Sequence, residues 1–429
     1  MLLAAAAFVV LFTLLFLGVP IAFGLIAVGF VGFGMLQGFV PALHMVGQLA
    51  FSTGMNEELS VIPLFVLMGG FIAASRLSDD LYAAANAFLG HLRGGLAMAT
   101  VVACAGFSAV CGSSFATAAT MTKVALPPMR RLGYGDSLAA GAIASGATLG
   151  IMIPPSVPLV LYGIMTRTDI SKLFIAGILP GLLGGLLYLG AVAFATWRQP
   201  ALGPRGERSG GRARLAALGR VWAVVALFAF IIGGIYAGWF TPTEAAGIGA
   251  FGAFLFALAR RSLGPARLAD VLLDSAKTTA VILLLLIGAL IFSNFIDIAG
   301  VPRTLARWVG EADVVPVLVI AGMVAIYLVL GCILDSMSML FLTVPVFFPL
   351  VAGLGYDLVW FGIVVVTVIE VSLITPPIGL NAFVLHQVQR DIPTPVIFRG
   401  LLPFVGADVV RLALLIAFPA IALALPGLM

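Results

Sequence analysis

Gly150-Ile151-Met152-Ile153-Pro154-Pro155-Ser156-Val157-Pro158 is the stretch that decides how this chain folds. It lies inside a long apolar segment, where adjacent prolines remove backbone donors and push the preceding residues out of helical geometry. We therefore predict that a membrane-spanning helix is interrupted here. Because unpaired backbone is costly in hydrocarbon, such a break is tolerated only where it packs in protein or lines a wet cavity. We interpret it as part of a binding site.

The same pattern returns at Ser372-Leu373-Ile374-Thr375-Pro376-Pro377-Ile378-Gly379-Leu380-Asn381. The carbonyls before each proline pair, in 150–153 and 372–375, can ligate a hard cation. The helix that restarts after each pair points free amides and a positive dipole end at an anion. We expect a cation and an anionic solute to share one site, with the amide of Asn381 able to bind a carboxylate or a hydroxyl of the solute.

The composition places both breaks in a polytopic helical membrane protein. Of 429 residues, 62% are hydrophobic and 9% are charged, and the mean hydropathy is +1.20. That length allows about ten or more spans of roughly 20 residues. We expect the apolar stretch from Met1 to Leu17 to be retained as the first span, since it has no basic leader region or convincing cleavage site. The net charge of +4 comes mostly from arginines in connecting segments, so no nucleic acid partner is indicated.

Landmarks recur at one offset along the chain. Pro376 follows Pro154 by 222 positions, and Asp391 follows Asp169 by the same number. We predict two similar repeats, 1–197 and 221–429, joined by a basic linker, 198–220, that the positive-inside bias places in the cytoplasm. Matched halves with interrupted helices are typical of a transporter whose site lies between them, although spacing alone leaves inverted and parallel repeats open.

Apolar runs give the expected spans. Two short spans are predicted within 2–37, and others at 61–75, 137–166, 173–197, 221–240, 243–259, 278–296, 313–330, 358–388 and 400–425. Segments 95–128 and 331–352 are predicted to be hairpins or broken helices, and 76–93 and 303–311 are predicted to lie along the interface.

Polar residues inside the hairpins form a second group of candidates. Ser113, Ser114 and Thr117 either let helices pack closely or offer oxygen ligands, and beside a double-proline break we favour the ligand role. At the 222 offset Ser113 falls on Asp335, an intramembrane carboxylate that is either functional or held by a structural hydrogen bond.

Other ionisable residues have simpler interpretations. Glu370 either balances a bound cation or orients the second break. Glu244 is predicted to cap a helix, and Lys123 and Lys277 to snorkel to an interface. Cys104, Cys111 and Cys332 lack paired spacing and are expected to be free thiols in apolar surroundings.

Three strings resemble DctM, the large membrane subunit of the tripartite ATP-independent periplasmic (TRAP) transporters. They are GIYAGWFTPTEAA at 234–246, ATLGIMIPPS at 147–156 and ITPPIGLN at 374–381. The resemblance implies an all-α protein with two inverted repeats, each with a re-entrant hairpin, in which a transport domain moves against a scaffold like an elevator. It also implies sodium-coupled uptake of an organic acid across the bacterial inner membrane, with a separate DctQ-type small membrane subunit and a DctP-type periplasmic binding protein.

The resemblance also implies particular site residues, with sodium as the coupling ion and no organic cofactor. The first sodium site falls on Ser113, Ser114, Gly150, Ile153 and Pro154, and the second on Gly331, Ser372, Thr375 and Ile378. The organic acid is expected to contact Ser114, Thr117, Pro155, Ser156, Asp335, Pro377 and Asn381. Ser372 stands where the family usually has glycine, and its Cβ would disfavour an unusual backbone angle.

Three other functions are alternatives to this one. The nearest is a stand-alone sodium-coupled carboxylate symporter or antiporter that needs no binding protein. A membrane enzyme acting on lipid-linked substrates would need clustered titratable residues, whereas here they are scattered and no hydrolase or nucleotide-binding motif occurs. A passive scaffold would not need two matched helix breaks.

Overall fold

The computed structural model describes residues 2–311 and 315–429, and every regular element in these ranges is helical. The first half of the chain contains α1 (Leu2–Phe16), α2 (Ile21–Gln37), α3 (Phe39–Gly54), α4 (Val61–Ala74), α5 (Leu77–Leu89), α6 (Gly95–Cys111), α7 (Ser114–Arg131), α8 (Asp136–Gly146), α9 (Val157–Thr166) and α10 (Ile170–Arg198). The second half contains α11 (Gly211–Tyr236), α12 (Pro242–Ala259), α13 (Pro265–Ile298), α14 (Val301–Glu311), α15 (Pro316–Leu330), α16 (Ser336–Gly353), α17 (Leu358–Ser372), α18 (Leu380–Val388), α19 (Thr394–Ala417) and α20 (Ala420–Leu423).

Seven of the described helices are long and apolar enough to cross a membrane, and six shorter apolar helices accompany them. The chain is therefore a multi-pass membrane protein, as predicted. Helices α1 and α2 match the two short spans expected in the first 37 residues, with Met1 outside the described residues. The predicted start of a span at 313 also lies outside them, and α15 begins at Pro316.

Three helices differ from the sequence prediction. Helix α13 begins at Pro265, 13 residues before the predicted span 278–296. Helix α3 was not predicted, because His44, Gln48 and a proline interrupt its apolar residues; it is exposed on most sides and buries only Ala42 and Thr53. Helix α11 begins at Gly211, so the second part of the basic segment 198–220 is helical and continues into the following span.

Element boundaries repeat at the offset that the landmarks predicted. Helix α16 begins and ends 222 residues after α7, and α17 begins 222 residues after α8. The double-proline breaks agree as well, since both contain a cis peptide bond, at Pro154-Pro155 and at Pro376-Pro377. The two halves therefore build the same sequence of hairpin, broken helix and long helix.

The halves interlock through close backbone contacts. A Cβ added at Gly400 in α19 would lie 1.8 Å from the carbonyl oxygen of Ser137 in α8, and one at Gly29 in α2 would lie 2.8 Å from the backbone nitrogen of Phe292 in α13. Small residues allow such approach between membrane helices. One hydrophobic cluster joins α6, α7 and α8 to α18 and α19, so each half contributes to a shared core.

Candidate functional site

A cavity of about 580 Å³ lies between the tips of the two hairpins. Its walls include the first hairpin turn from Cys111 to Ala116 and the second from Asp335 to Met337. Pro155 of the first break borders it, and α4 and α13 close the other side with apolar residues and Lys277. The cavity therefore brings together one break, both hairpin tips and a pair of helices outside them.

Both hairpin tips present the N-terminus of a helix to this cavity. Gly112 turns the chain with a φ of +65°, after which Ser113 caps α7 by accepting a hydrogen bond from the Ala116 N–H at 3.3 Å. Asp335 caps α16 in the equivalent place and accepts from the Met337 N–H at 3.1 Å and from the Ser338 hydroxyl. The structural hydrogen bond considered for Asp335 is therefore present, and the same carboxylate also borders the cavity.

The first break is a 3₁₀ turn at Leu149–Ile151 followed by the proline pair. Ser156 caps α9: its buried hydroxyl donates to the Ile151 carbonyl and accepts from the Leu159 N–H at 3.4 Å. The carbonyl oxygens of Gly150 and Ile153 accept no hydrogen bond from any described residue. These oxygens are the ones that the sequence predicts as cation ligands.

The second break is closed by Asn381 rather than by a serine. Its N–H donates to the Leu373 carbonyl at 3.1 Å, and its Nδ2 donates to the Ala144 carbonyl in α8 at 3.1 Å. Asn381 is fully buried and does not border the cavity. Within the described residues, no hydrogen bond ends on the carbonyl oxygens of Thr375 or Ile378.

Ser372 has an ordinary backbone. It is the last residue of α17, and the positive-φ residues other than glycine in the described ranges are Arg76, Arg167 and Arg261. The unusual backbone angle considered for Ser372 is therefore not adopted. Its side chain instead fills the space beside Gly331, where an added Cβ would lie 2.1 Å from the Ser372 Oγ.

The predicted site residues fall into two groups. Those bordering the cavity are Ser113, Ser114, Pro155 and Asp335. Those outside its lining are Thr117, Gly150, Ile153, Pro154, Ser156, Gly331, Ser372, Thr375, Pro377, Ile378 and Asn381. Thr117 is buried, with its hydroxyl donating to the Ser113 carbonyl at 2.8 Å, and Cys332 in the second hairpin turn lies 3.9 Å from the Pro376 carbonyl oxygen.

Sequence reasoning missed a buried ionic network. Arg411 in α19 donates to Glu370 in α17, and its Nη2 lies 3.1 Å from the Asp408 carboxylate. Glu370 therefore has a protein cation as its partner, which supports the orienting role over the balancing of a bound cation. The signal was present in the sequence, because an aspartate and an arginine three residues apart inside the predicted span 400–425 lie on one face of a helix.

Glu244, the three cysteines and Lys277 lie outside the buried ionic network. Glu244 forms a capping box with Thr241, accepting from its N–H at 2.8 Å, so the predicted cap is confirmed. The three cysteines are free, as predicted. Lys277 has a side chain that is 75% exposed and borders the cavity. No group of three or more His, Cys, Asp or Glu residues that could hold a metal occurs in the described ranges.

A sequence model of the tripartite ATP-independent periplasmic transporter, DctM component, matches residues 8–421. The chain belongs to the DctM family. It is 37% identical over 378 residues to the C4-dicarboxylate TRAP transporter large permease protein DctM of Pseudomonas aeruginosa, covering 88% of each chain. It is 33% identical to the isethionate TRAP transporter permease protein DctMQ of Oleidesulfovibrio alaskensis, covering 88% of this chain and 59% of that protein. These relatives are named as permeases, so the resemblance and the transporter class are confirmed.

The fold has a counterpart among solved structures. The Alcanivorax borkumensis YdaH transporter superposes with a TM-score of 0.61 at 15% identity, covering 91% of this chain and 90% of that one. At this identity the agreement concerns the fold alone. The same arrangement of helices therefore occurs in a solved membrane protein.

Proposed function

We propose that this TRAP large permease subunit couples the entry of sodium to the uptake of an organic acid. The observation that carries the proposal is the pair of double-proline breaks, each beside a hairpin turn and each with carbonyl oxygens that accept no hydrogen bond from the described residues. A hard cation can satisfy such oxygens where no protein donor does, because sodium, like calcium, prefers oxygen ligands. The breaks thus have the chemistry of cation sites.

The two proposed sodium sites use mostly backbone. The first comprises Ser113, Ser114, Gly150, Ile153 and Pro154, and the second comprises Gly331, Ser372, Thr375 and Ile378. Support comes from contacts in or beside each set: Gly331 packs against Ser372 within the second set, and Gly112, next to Ser113, lies close to Val157 just after the first break. Each hairpin turn therefore lies against the break of its own half.

The cavity suits a small organic anion. Its volume of about 580 Å³ falls in the usual range for small-molecule sites. The N-termini of α7 and α16 direct partial positive charge into it, and Lys277 of α13, whose Nζ lies 3.9 Å from Asp274 Oδ1, adds a positive charge that offsets the bordering carboxylate of Asp335. We propose that Ser114, Pro155 and Asp335 contact the solute directly. In this conformation Thr117, Ser156, Pro377 and Asn381 lie outside the cavity lining, and we propose that they support the residues that contact the solute.

Coupling follows from the order of loading. Sodium orders the unwound segments, which aligns amides and hydroxyls with the carboxylate of the solute. A partly loaded site leaves charge unbalanced and resists movement through the membrane. In this proposal residues 1–197 and 221–429 are inverted repeats, and a transport domain slides against a scaffold while the basic segment 198–220 stays in the cytoplasm.

The proposed partners are those of a tripartite system. The Pseudomonas relative is named as a large permease, and the relative named DctMQ is longer than this chain. We propose that the chain works in the bacterial inner membrane with a separate DctQ-type small subunit and a DctP-type periplasmic binding protein. Membrane lipid surrounds the apolar exterior, and the binding protein supplies most of the choice of solute.

The test is uptake of radiolabelled organic acids into proteoliposomes that hold this chain with its small subunit. Uptake that requires both a sodium gradient and the binding protein supports the proposal. Uptake independent of the binding protein would instead identify a stand-alone carrier, and uptake independent of sodium would exclude sodium coupling.

A matched pair of variants makes this test specific. Thr375→Ala removes the hydroxyl of a proposed ligand residue just after α17, and Thr367→Ala removes the hydroxyl of a threonine inside α17; each hydroxyl donates to the carbonyl four residues earlier. We expect sodium-dependent uptake to fall in the first variant and to persist in the second. Equal uptake by both would contradict a ligand role for the Thr375 hydroxyl in the second sodium site.

A further inference from the structure

A buried ionic network lies where the two halves meet, outside the lining of the cavity. Arg411 contacts the carboxylates of Glu370 and Asp408, and the Tyr188 hydroxyl of α10 donates to Asp408 Oδ2 at 2.6 Å. All four side chains are fully buried, with 0% exposure. We call Tyr188, Glu370, Asp408 and Arg411 the buried network.

Stability alone does not explain the buried network. Removing charges from water costs several kcal/mol for each ion, and well-packed apolar residues often replace a buried ion pair without loss. This network also includes one more carboxylate than guanidinium group, and Arg411 Nε and Nη1, Glu370 Oε1 and Asp408 Oδ1 have no hydrogen-bond partner among the described residues. An ionic cluster retained at this cost inside a membrane protein points to a role in the transport cycle.

One end of the buried network reaches the second break. Glu370 precedes Ser372 by two residues in α17, the helix that leads directly into the proline pair. Its partner Arg411 belongs to α19, so the pair fixes the end of α17 against a long helix of the same half.

The other end reaches the first break. The Tyr188 hydroxyl oxygen lies 3.4 Å from the Thr148 hydroxyl oxygen, and Thr148 immediately precedes the 3₁₀ turn Leu149–Ile151. In addition, a Cβ at Gly184 would lie 2.2 Å from Arg411 Nη1 and 3.1 Å from Leu149 Cδ2, so the guanidinium group and the first residue of this turn pack around one glycine. The buried network therefore touches both breaks at once.

We propose that the buried network couples the two breaks, so that a cation ordering one break raises the affinity of the other for a second cation. This inference rests on the proposed sodium sites. Its four residues act as positioning residues, because none of them belongs to the proposed ligand sets. A displaced first break shifts Thr148 and Leu149 against Tyr188 and Arg411, and the pairing of Arg411 with Glu370 passes that displacement to α17.

The test compares single tyrosine substitutions in the complete membrane complex. Tyr188→Phe removes one hydroxyl and keeps the ring that packs edge-on against Phe404. Tyr134→Phe is the matched control, since it removes a buried hydroxyl that accepts from the Leu96 N–H, away from the buried network. Glu370→Gln is a second variant that keeps the side-chain shape and removes the charge.

The first readout is the sodium dependence of uptake. We expect a Hill coefficient above one in the wild type and in Tyr134→Phe, and a value of about one in Tyr188→Phe, with sodium affinity about 5-fold weaker or more. A structural role alone would lower the melting temperature and leave the Hill coefficient unchanged, and that result would overturn the proposal. A wild-type Hill coefficient of one would also overturn it.

The second readout needs no sodium and separates this inference from the proposed function. Hydrogen exchange in sodium-free buffer is measured for peptides covering 148–156 and 372–380. Faster exchange of both segments in Tyr188→Phe or Glu370→Gln, but not in Tyr134→Phe, supports coupling even if uptake proves independent of sodium. Faster exchange of only one segment, or of neither, refutes the coupling whatever the uptake shows.

Discussion

The hydroxyl of Ser372 occupies the space in front of Gly331, where a side chain on the glycine would meet it at 2.1 Å. In the first half the serine belongs to the hairpin and the glycine to the break, although the two hairpin residues, Ser108 and Gly331, are 223 rather than 222 positions apart. Gly150, which lies 222 positions before Ser372, faces Ser108 of α6, and a Cβ on Gly150 would lie 2.2 Å from the Ser108 Oγ. In each half, one serine and one glycine pack against each other where the break meets the hairpin. The serine belongs to the hairpin in the first half and to the break in the second.

The serine hydroxyl serves the same carbonyl position in both halves. Ser108 donates to the Ala147 carbonyl at 2.8 Å, and Ser372 donates to the Ile369 carbonyl at 2.7 Å. Ile369 follows Ala147 by 222 positions. Ser372 is therefore accompanied by a glycine at 331, which leaves room for its side chain.

An exchange of the two residues tests this pairing. Gly331→Ser places two hydroxymethyl groups in one space, and we expect loss of folded protein or of uptake. Adding Ser372→Gly removes the clash and recreates the arrangement of the first half, so the double variant should regain most of the loss. Melting temperature and sodium-dependent uptake measure this, and no recovery in the double variant would contradict the pairing.

Asp335 combines two roles that substitution can separate. Asparagine caps helices about as well as aspartate. We expect Asp335→Asn to keep the melting temperature of the wild type but to lower uptake, because the carboxylate borders the cavity. Asp335→Ala should lower both. Normal uptake by Asp335→Asn would show that Asp335 acts only as a helix cap. Ser113→Ala, which removes the corresponding cap of the first half, is the control for the loss of a cap alone.

Arg411 should be essential for folding because its removal leaves two carboxylates buried without a cation. Breaking a buried ion pair in this way costs about 3–5 kcal/mol. We expect Arg411→Met to lower the free energy of unfolding by that order. Adding Glu370→Gln and Asp408→Asn should restore part of it, since no unpaired charge then remains.

Arg130 provides the control for that measurement. It also contacts two carboxylates, Asp136 at 2.8 Å and Asp391 at 2.6 Å, but it is partly exposed to solvent. Exposed pairs contribute little, so Arg130→Met should have a much smaller effect. Equal destabilisation by the two variants would show that burial is not the cause.

Lys277 borders the cavity, and we expect it to attract the anionic solute. Lys277→Gln should raise the half-saturating solute concentration several-fold at low salt and less at high salt, because added ions screen the exposed charge. Lys123→Gln, at an exposed lysine outside the cavity lining, is the control. An unchanged half-saturating concentration would favour the snorkelling role predicted from the sequence.

The pairing of Arg130 with Asp391 predicts a dependence of stability on pH. The hydrogen bond from Arg130 lowers the pKa of the Asp391 carboxyl below its usual value. The stabilisation is therefore complete above the ordinary pKa, near about 4, and is lost as the pH falls through the lowered one. Asp391→Asn should lower the melting temperature at neutral pH and match the wild type at about pH 2, where wild-type Asp391 is also neutral. Asp169→Asn, the equivalent position in the first half, should show less difference.

The sequence by itself determined the membrane class, the paired breaks and the 222-residue repeat. These properties are local: proline removes a donor wherever it stands, an apolar run partitions into lipid, and both can be read without knowing any neighbour. The helix cap formed by Glu244 could be predicted for the same reason, because it depends only on residues next to it in the sequence. The short, exposed helix α3 was not predicted, because its apolar residues are mixed with polar ones and neither its length nor its hydropathy indicates a membrane span.

Only the tertiary structure decided which distant residues meet. It placed Asn381 on the Ala144 carbonyl and away from the cavity lining, and it gave Glu370 a partner in Arg411, 41 positions later. It also packed the Ser372 side chain against Gly331 and gave Ser372 an ordinary helical backbone. Such pairings depend on how α8, α17 and α19 pack against one another, and spacing along the chain does not encode that packing because the contacting residues belong to separate helices.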